Sequence, residues 1–191
     1  MNNYEEYDVF YENEELISMI EDLKNIDQSF NVHRDNICTF QGECMEFGVT
    51  YATFLNKFVD MSNKELMINH IDISGDDYEE DCDIDFIDGE DIDFFMEDNL
   101  MMDINFKIDG HPANIEVEFG YDWFSEAFVY KFNEILGDLN KDKYLWLSNC
   151  GEECNIIYAS QDDIDKINKE MAKSPKFSLY NPFVIEGEME Y

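Results

Sequence analysis

The stretch DDYEEDCDIDFIDGEDIDFFMED, residues 76–98, interleaves thirteen carboxylates with apolar side chains and contains no lysine or arginine. DIDF occurs at 83–86 and again at 91–94, on either side of the turn signal Asp88-Gly89. Alternating runs around a turn are typical of a β-hairpin with one buried face. An acidic tail without structure has no need of the apolar residues, which include Ile84, Phe86, Ile92, Phe94 and Phe95.

The apolar residues also indicate how the two runs would pair. Directly opposite residues share a face, so pairing Phe86 with Ile92 also sets Asp85 opposite Asp93 on the other face. The tightest two-residue loop would instead set Phe86 against Asp91 and bury charge, so a loop of about three to five residues is favoured. This register predicts rows of acids about 6.7 Å apart on the outer surface.

Negative charge dominates the composition. The chain holds 46 acidic and 12 basic residues, a formal net charge of −34, and Arg34 is its only arginine. Residues 65–106 contain sixteen acids and no base. Such a charge makes direct contact with nucleic acid or an anionic membrane unfavourable. Hydrophobic residues nevertheless make up 45% and aromatics 15%, which indicates a folded chain.

Cysteine usage and the first residues favour a cytoplasmic protein. The five cysteines are odd in number, MNNYEEYDVF lacks the pattern of a secretion signal, and no apolar run approaches a membrane span. Cys150 and Cys154 could supply two zinc ligands, but the loop NCGEEC is equally a hairpin turn with idle thiols. We therefore expect neither a metal nor a cofactor.

Periodicity predicts the helices. Asn13 is a good N-cap for a helix over 14–26, and a second helix is expected from Phe47 to Phe58. A third is expected from Asp122 to Leu136, stopped by Gly137. Ser160 with Asp163 resembles a capping box for a last helix over 162–172.

Alternation predicts the strands. Residues 66–73 look extended, and 102–109 form a hairpin with 114–120 across Gly110 to Ala113, in which Asp109 pairs with Asn114. KYLWLS and CNIIYAS, residues 143–148 and 154–160, form a second hairpin. The expected fold is a single α+β domain over 1–191, a mainly antiparallel sheet packed with three to four helices. Its acidic β-hairpin segment lies at about 65–106.

The candidate site is a surface for a protein partner. Its centre is the acidic segment, and Phe95 and Trp123 are its aromatic anchors because such residues often dominate interfaces. Trp146, between two leucines, is assigned to the core. The predicted partner-binding residues are Asp76, Asp77, Glu79, Glu80, Asp81, Asp83, Asp85, Asp88, Glu90, Asp91, Asp93, Glu97, Asp98, Phe95 and Trp123.

Regular rows of carboxylates imitate the phosphates of a nucleic acid backbone. In charge balance and size the chain resembles the phage-encoded inhibitors that copy DNA charge to block restriction or CRISPR nucleases, and also the acidic immunity proteins that neutralise basic toxins. The first resemblance implies a non-enzymatic inhibitor that binds a nuclease or another nucleic-acid-binding protein. No nucleotide-binding, nucleophile-elbow or zinc-protease motif indicates an enzyme.

Three alternatives are consistent with the same sequence. An immunity protein or antitoxin would recognise one basic toxin by shape, with a few apolar anchors. A calcium-binding or structural acidic module would use the same carboxylates, although the spacing around Gly89 does not fit the EF-hand pattern. Finally, Lys166, Lys169 and Lys173 of the last predicted helix could pair with the acidic segment, within the chain or in a homodimer.

Overall fold

The computed structural model describes residues 9–42, 44, 50–75, 101–118, 124–150 and 153–185. The strands described are β1 Phe10–Tyr11, β2 Ile37–Gln41, β3 Ile68–Gly75, β4 Met101–Ile108, β5 His111–Glu118, β6 Tyr144–Cys150 and β7 Glu153–Ala159. The helices are α1 Glu14–Ile26, α2 Tyr51–Met61, α3 Glu126–Asp138 and α4 Gln161–Met171. Two antiparallel sheets packed with four helices confirm the predicted α+β class.

The strands divide into a large and a small sheet. The large sheet has the order β1-β2-β7-β6, and the small sheet has the order β3-β4-β5. Every pairing in both sheets is antiparallel. The predicted pairing of residues 143–148 with 154–160 is confirmed as β6 with β7, and the predicted extension of 66–73 corresponds to β3.

Both faces of the large sheet are buried. Ile157 and Trp146 belong to a core with α1 and α4 on one face. On the other face, Ile156 and Leu147 belong to a core with α2, α3 and the inner face of the small sheet. The helices α2 and α3 therefore lie between the two sheets, and the small sheet has its other face toward solvent. The core assignment of Trp146 is confirmed, because it is 4% exposed and its Nε1 donates to the carbonyl of Ala159 at 2.9 Å.

Aromatic rings fill the space between the sheets. Phe54 of α2 lies 4.3 Å from Phe124 between ring centroids, and Phe58 lies 5.2 Å from Phe132 of α3. These tilted pairs are each stabilising beyond the burial of their area. They give the small sheet a rigid support.

Helix caps follow the sequence at two of the predicted sites. The Asn13 side chain accepts a hydrogen bond from the backbone N–H of Leu16 at 3.1 Å, which confirms the start of α1. Ser160 Oγ accepts a hydrogen bond from the N–H of Asp163 at 3.3 Å, and α4 starts at the residue after Ser160. These contacts satisfy backbone donors that have no partner within the helix.

Two predicted boundaries of α3 are wrong. The helix begins at Glu126, after Phe124 and Ser125, and not at Asp122, which lies outside the described residues. It also continues through Gly137, because Asn140 provides the left-handed turn that ends it, with a φ of 54°. The N–H of Lys141 then bonds to the carbonyl of Leu136 at 3.0 Å.

The register predicted for β4 and β5 is also wrong. Ile108 pairs with His111 around the two-residue turn Asp109-Gly110, where φ is 50° and 83°. Both values are positive, as a type I′ turn requires, and Asp-Gly is a preferred sequence for it. The predicted turn at Gly110 to Ala113 differs from this one and shifts the partners of β4 by four residues. Because that shift is even, Ile104, Phe106 and Ile108 still face the core as expected.

No pattern in the sequence predicted β1 and β2. The strand β2 lies between β1 and β7, and four of its five residues are buried, so it shows no alternation. The second predicted helix is confirmed in part, because α2 begins at Tyr51 after Thr50, while Phe47 lies outside the described residues. In the described part of the chain, no helix combines the length and apolar character needed to cross a membrane.

Candidate partner-binding surface

All fifteen residues predicted to bind a partner lie outside the described residues. Thirteen acids and Phe95 belong to 76–100, and Trp123 belongs to 119–123. The structure does describe the two strands that residues 76–100 join. Gly75, the last residue of β3, pairs with Met102 of β4, so both ends of this stretch start from the same end of the small sheet.

That end of the small sheet carries acids of its own. Alternation along β3, β4 and β5 turns apolar residues to the core and polar residues to solvent. We call the exposed side chains of Asp72, Asp103, Glu116 and Glu118 the outer acidic face. Their strands fix these four carboxylates, none of which was among the residues predicted to bind a partner. The sequence does carry a signal for this face, because polar residues occupy alternate positions along β4 and β5.

Two acids of the outer acidic face stand directly opposite one another. Asp103 pairs with Glu116, at a position of the ladder where the Cα atoms approach to about 4.5 Å. Like charges so placed cost a few tenths of a kcal/mol to about 1 kcal/mol. Asn114 Nδ2 donates to Asp103 Oδ1 at 3.3 Å, which offers a neutral contact but no counter-charge.

Lys107 of β4 is exposed on the same side of the sheet, but the described cations form no ion pair with this face. No lysine or arginine in the described ranges comes within 4.0 Å of any of its four carboxylates. Lys131 of α3 does reach Glu116, but its ammonium donates to the backbone carbonyl. A cation from elsewhere would therefore relieve repulsion here.

Two of the three lysines assigned to the last predicted helix, Lys166 of α4 and Lys173 just after it, have other partners. Lys166 pairs with Asp27 at 2.8 Å, and the hydrogen bond from Lys166 holds the pKa of Asp27 well below its usual range. Lys173 pairs with Glu170 at 2.6 Å. Since Asp27 caps α1, Lys166 links α1 to α4 on the side of the large sheet away from the small sheet.

A second polar cluster surrounds Glu153 at the start of β7. Its carboxylate accepts hydrogen bonds from Tyr11 at 2.9 Å, from Tyr180 at 3.0 Å and from Asn13 at 3.1 Å. Burial, followed by the hydrogen bond to Glu153, raises the pKa of Tyr11. The cluster ties β1, the start of α1 and the C-terminal segment to β7. Its hydroxyl and amide groups are already used in these contacts, so we assign it a structural role.

A cleft of about 840 Å³ opens beside this cluster. It is lined by both charge signs, including Arg34, Lys57 and Asp60. The guanidinium of Arg34 is already paired with Glu12, whose Oε1 accepts from Nε at 2.8 Å. The cleft thus has no surplus of one charge that would select a ligand.

The described thiols are buried and unreactive. Cys38, Cys44 and Cys154 are free cysteines in the core, and burial raises their pKa values from 9.0 to about 12, about 11 and about 12. A thiolate is the form that binds metal or attacks a substrate. Across the described residues, no three His, Cys, Asp or Glu side chains are grouped to hold a metal ion. The side chain of Cys150 lies outside that description.

Comparisons with protein-family models, with curated proteins and with solved structures found no match.

Proposed function

We propose that this protein is a non-enzymatic inhibitor that binds a basic protein, a nuclease or another nucleic-acid-binding protein, by presenting carboxylates where that target expects phosphates. The observation that carries the proposal is the outer acidic face, a set of strand-held carboxylates with no described cation within 4.0 Å. A nucleic acid backbone likewise presents fixed negative charges at short intervals.

The chain's charge distribution supports the same proposal. Gly75 and Met101, the described residues on either side of 76–100, lie at the end of the small sheet that bears Asp103, Glu116 and Glu118. Between them the sequence adds thirteen further acids, in a chain with a net charge of −34. Electrostatic steering would then speed encounter with a cationic groove. The proposed compartment is the cytoplasm, or the host cytoplasm if the gene is viral.

The test is capture from a lysate of the native host with the intact protein as bait, at about 50 and about 300 mM NaCl, with partners identified by mass. The proposal requires a nucleic-acid-binding protein that is captured at low salt, lost at high salt, and displaced from the bait by added DNA or RNA. Purified target and bait should then show the same competition.

A pair of matched variants localises the effect. The first replaces the outer acidic face with neutral amides, as D72N, D103N, E116Q and E118Q. The control removes the same number of exposed charges from α1 and α4, as E21Q, D22N, D162N and D165N. We expect the first variant, and not the control, to weaken binding by at least about tenfold. Equal binding by both variants would contradict the proposal.

Two outcomes would favour the other classes. Tight binding that survives high salt and is insensitive to nucleic acid favours an immunity protein or antitoxin that recognises one toxin by shape. A large rise in melting temperature with millimolar calcium, and no protein partner, favours a calcium-binding or structural acidic module.

A further inference from the structure

The two edges of the small sheet differ in their capacity to accept another strand. Along the β3 edge the register shifts between Asn69 and Asp72, and His70 has a φ of 54°. Such a bulge bends a strand and interrupts its edge. Along the other edge, where no described strand lies beyond β5, β5 pairs with β4 without a break from His111 to Glu118, which gives a straight edge of eight residues.

The turn fixes which backbone groups of β5 point away from the sheet. Ile108 and His111 flank the two-residue loop and so form a hydrogen-bonded pair. Every second residue of β5, starting from the one after His111, therefore turns its N–H and C=O groups away from β4. These residues include Asn114, Glu116 and Glu118. The donation of Lys131 to the outward carbonyl of Glu116 agrees with this assignment. Pro112 has the same orientation and removes no hydrogen bond within the sheet.

The same residues also present their side chains to solvent. Asn114, Glu116 and Glu118 are all exposed, and a residue paired with any of them would have its side chain on the same face. A second copy of this chain that paired β5 with β5 would bring together two chains that each carry a net charge of −34, which is unfavourable. A strand with lysine or arginine at alternate positions would meet opposite charge instead.

We propose that the outer edge of β5 binds an extended, basic segment of the partner as a fourth strand of the small sheet. Backbone groups of Asn114, Glu116 and Glu118 would form the new ladder, and the partner's alternate cations would face Glu116 and Glu118. The ammonium of Lys131 would leave the Glu116 carbonyl to the incoming strand. The inference rests on the proposed function and specifies which part of the partner is bound.

The probe is a short synthetic peptide of alternating lysine and threonine with blocked ends, long enough to span β5. It is added to the full-length, nitrogen-15-labelled protein, and amide hydrogen exchange is followed by NMR. We expect the peptide to slow exchange of the outward amides of Asn114, Glu116 and Glu118. The amides of Ile115 and Val117, which already face β4, should change little.

Two controls separate strand addition from simple charge attraction. The first is the same peptide with every backbone nitrogen methylated, which keeps every charge but has no N–H to donate to the carbonyls of β5. The second is a pair of protein variants: N114P deletes one outward N–H, whereas N114T keeps it and deletes the same side-chain amide. We expect the methylated peptide and N114P each to reduce affinity at least about tenfold, and N114T to change it by less than about threefold.

The methylated peptide keeps the test decisive if N114P does not fold. Equal affinity of the two peptides would overturn the inference, as would slowed exchange only at residues outside β5 or peptide-induced dimerisation of the protein. This result is independent of the test of function. If nucleic acid competes for the captured target but methylation has no effect, the proposed function stands and strand addition at β5 fails.

Discussion

At the scale of single residues, burial controls the acid–base chemistry of the thiols. The pKa values of Cys38, Cys44 and Cys154 lie near 12, 11 and 12 in the folded protein, because burial disfavours the thiolate. In the unfolded chain the same groups ionise near their ordinary value of 9.0. A raised folded pKa of this kind gives stability that is present below pH 9.0 and is lost as the pH rises above it.

The expected consequence is a fall in the free energy of unfolding between pH 8 and pH 10. Each thiol that stays protonated only in the folded state lowers the free energy of unfolding by about 1.4 kcal/mol when the pH is one unit above the pKa of that thiol in the unfolded chain. Urea unfolding at several pH values measures this slope. The double variant C38A, C154A should show a smaller slope than the parent protein. An unchanged slope would mean that these thiols already ionise in the folded state.

One buried amide joins α3 to β6. Asn133 Nδ2 donates to the carbonyl of Leu145 at 2.7 Å, and its Oδ1 accepts from the N–H of Leu145 at 2.8 Å. Both backbone groups belong to an edge strand and are buried beneath the helix. The side chain therefore supplies the two hydrogen bonds that a neighbouring strand would provide.

The substitution N133L should destabilise the fold by about 2–4 kcal/mol, because it leaves a buried donor and a buried acceptor without partners. Chemical denaturation measures the loss. E134Q, at the exposed neighbouring position of α3, is the control and should stay within about 0.5 kcal/mol of the parent. A loss below about 1 kcal/mol for N133L would show that water or a shifted backbone satisfies Leu145.

At the scale of elements, two glycines with different backbone conformations give opposite predictions. Gly110 has a φ of 83° in the turn between β4 and β5, so G110A should destabilise the protein by about 1–2 kcal/mol. Gly137 lies in the last turn of α3, where an added Cβ would meet its nearest neighbour, the Tyr144 hydroxyl oxygen, at 4.0 Å. G137A should therefore stabilise by about 0.5–1 kcal/mol. Thermal melts of the two variants should shift in opposite directions, and equal shifts would contradict the assigned turn and helix end.

The same elements show how far sequence reasoning reaches. Capping residues and helical periodicity located α1 and α4, since Asn13 and Ser160 act through local hydrogen bonds that the sequence encodes directly. Hydrophobic alternation predicted the buried face of β4. It did not determine the register, because any even shift keeps that face buried and the choice depends on the turn at Asp109-Gly110.

What the sequence did not yield depends on tertiary structure. The strand β2 is buried on both faces between β1 and β7, so its short apolar run carries no period that distinguishes it from other core segments. The outer acidic face brings together Asp72 from β3 with Asp103 and Glu116 from the hairpin. Only the pairing of β3 with β4 reveals that neighbourhood.

At the scale of the whole molecule, the layers separate the core from the charge. The large sheet is covered on both faces, and the aromatic layer of α2 and α3 supports the small sheet from beneath. The small sheet can therefore hold exposed carboxylates on a rigid frame without burying them. Repulsion among the surplus acids nevertheless opposes the compact state, because folding brings them closer together.

That repulsion makes stability depend on salt. With a net charge of −34, screening should raise the melting temperature as NaCl increases from about 20 to about 500 mM, by several degrees for a chain of this size. Potassium chloride should give the same curve, since screening depends on ionic strength and not on the identity of a monovalent cation.

Calcium chloride at matched ionic strength completes the comparison. A curve that coincides with the sodium curve is the expected result, whereas a much larger shift at millimolar calcium would mean that the carboxylates form a specific cation site. A melting temperature that stays flat or falls with salt would show that the surplus charge is already balanced within the folded chain, which would remove the electrostatic basis for a cationic partner.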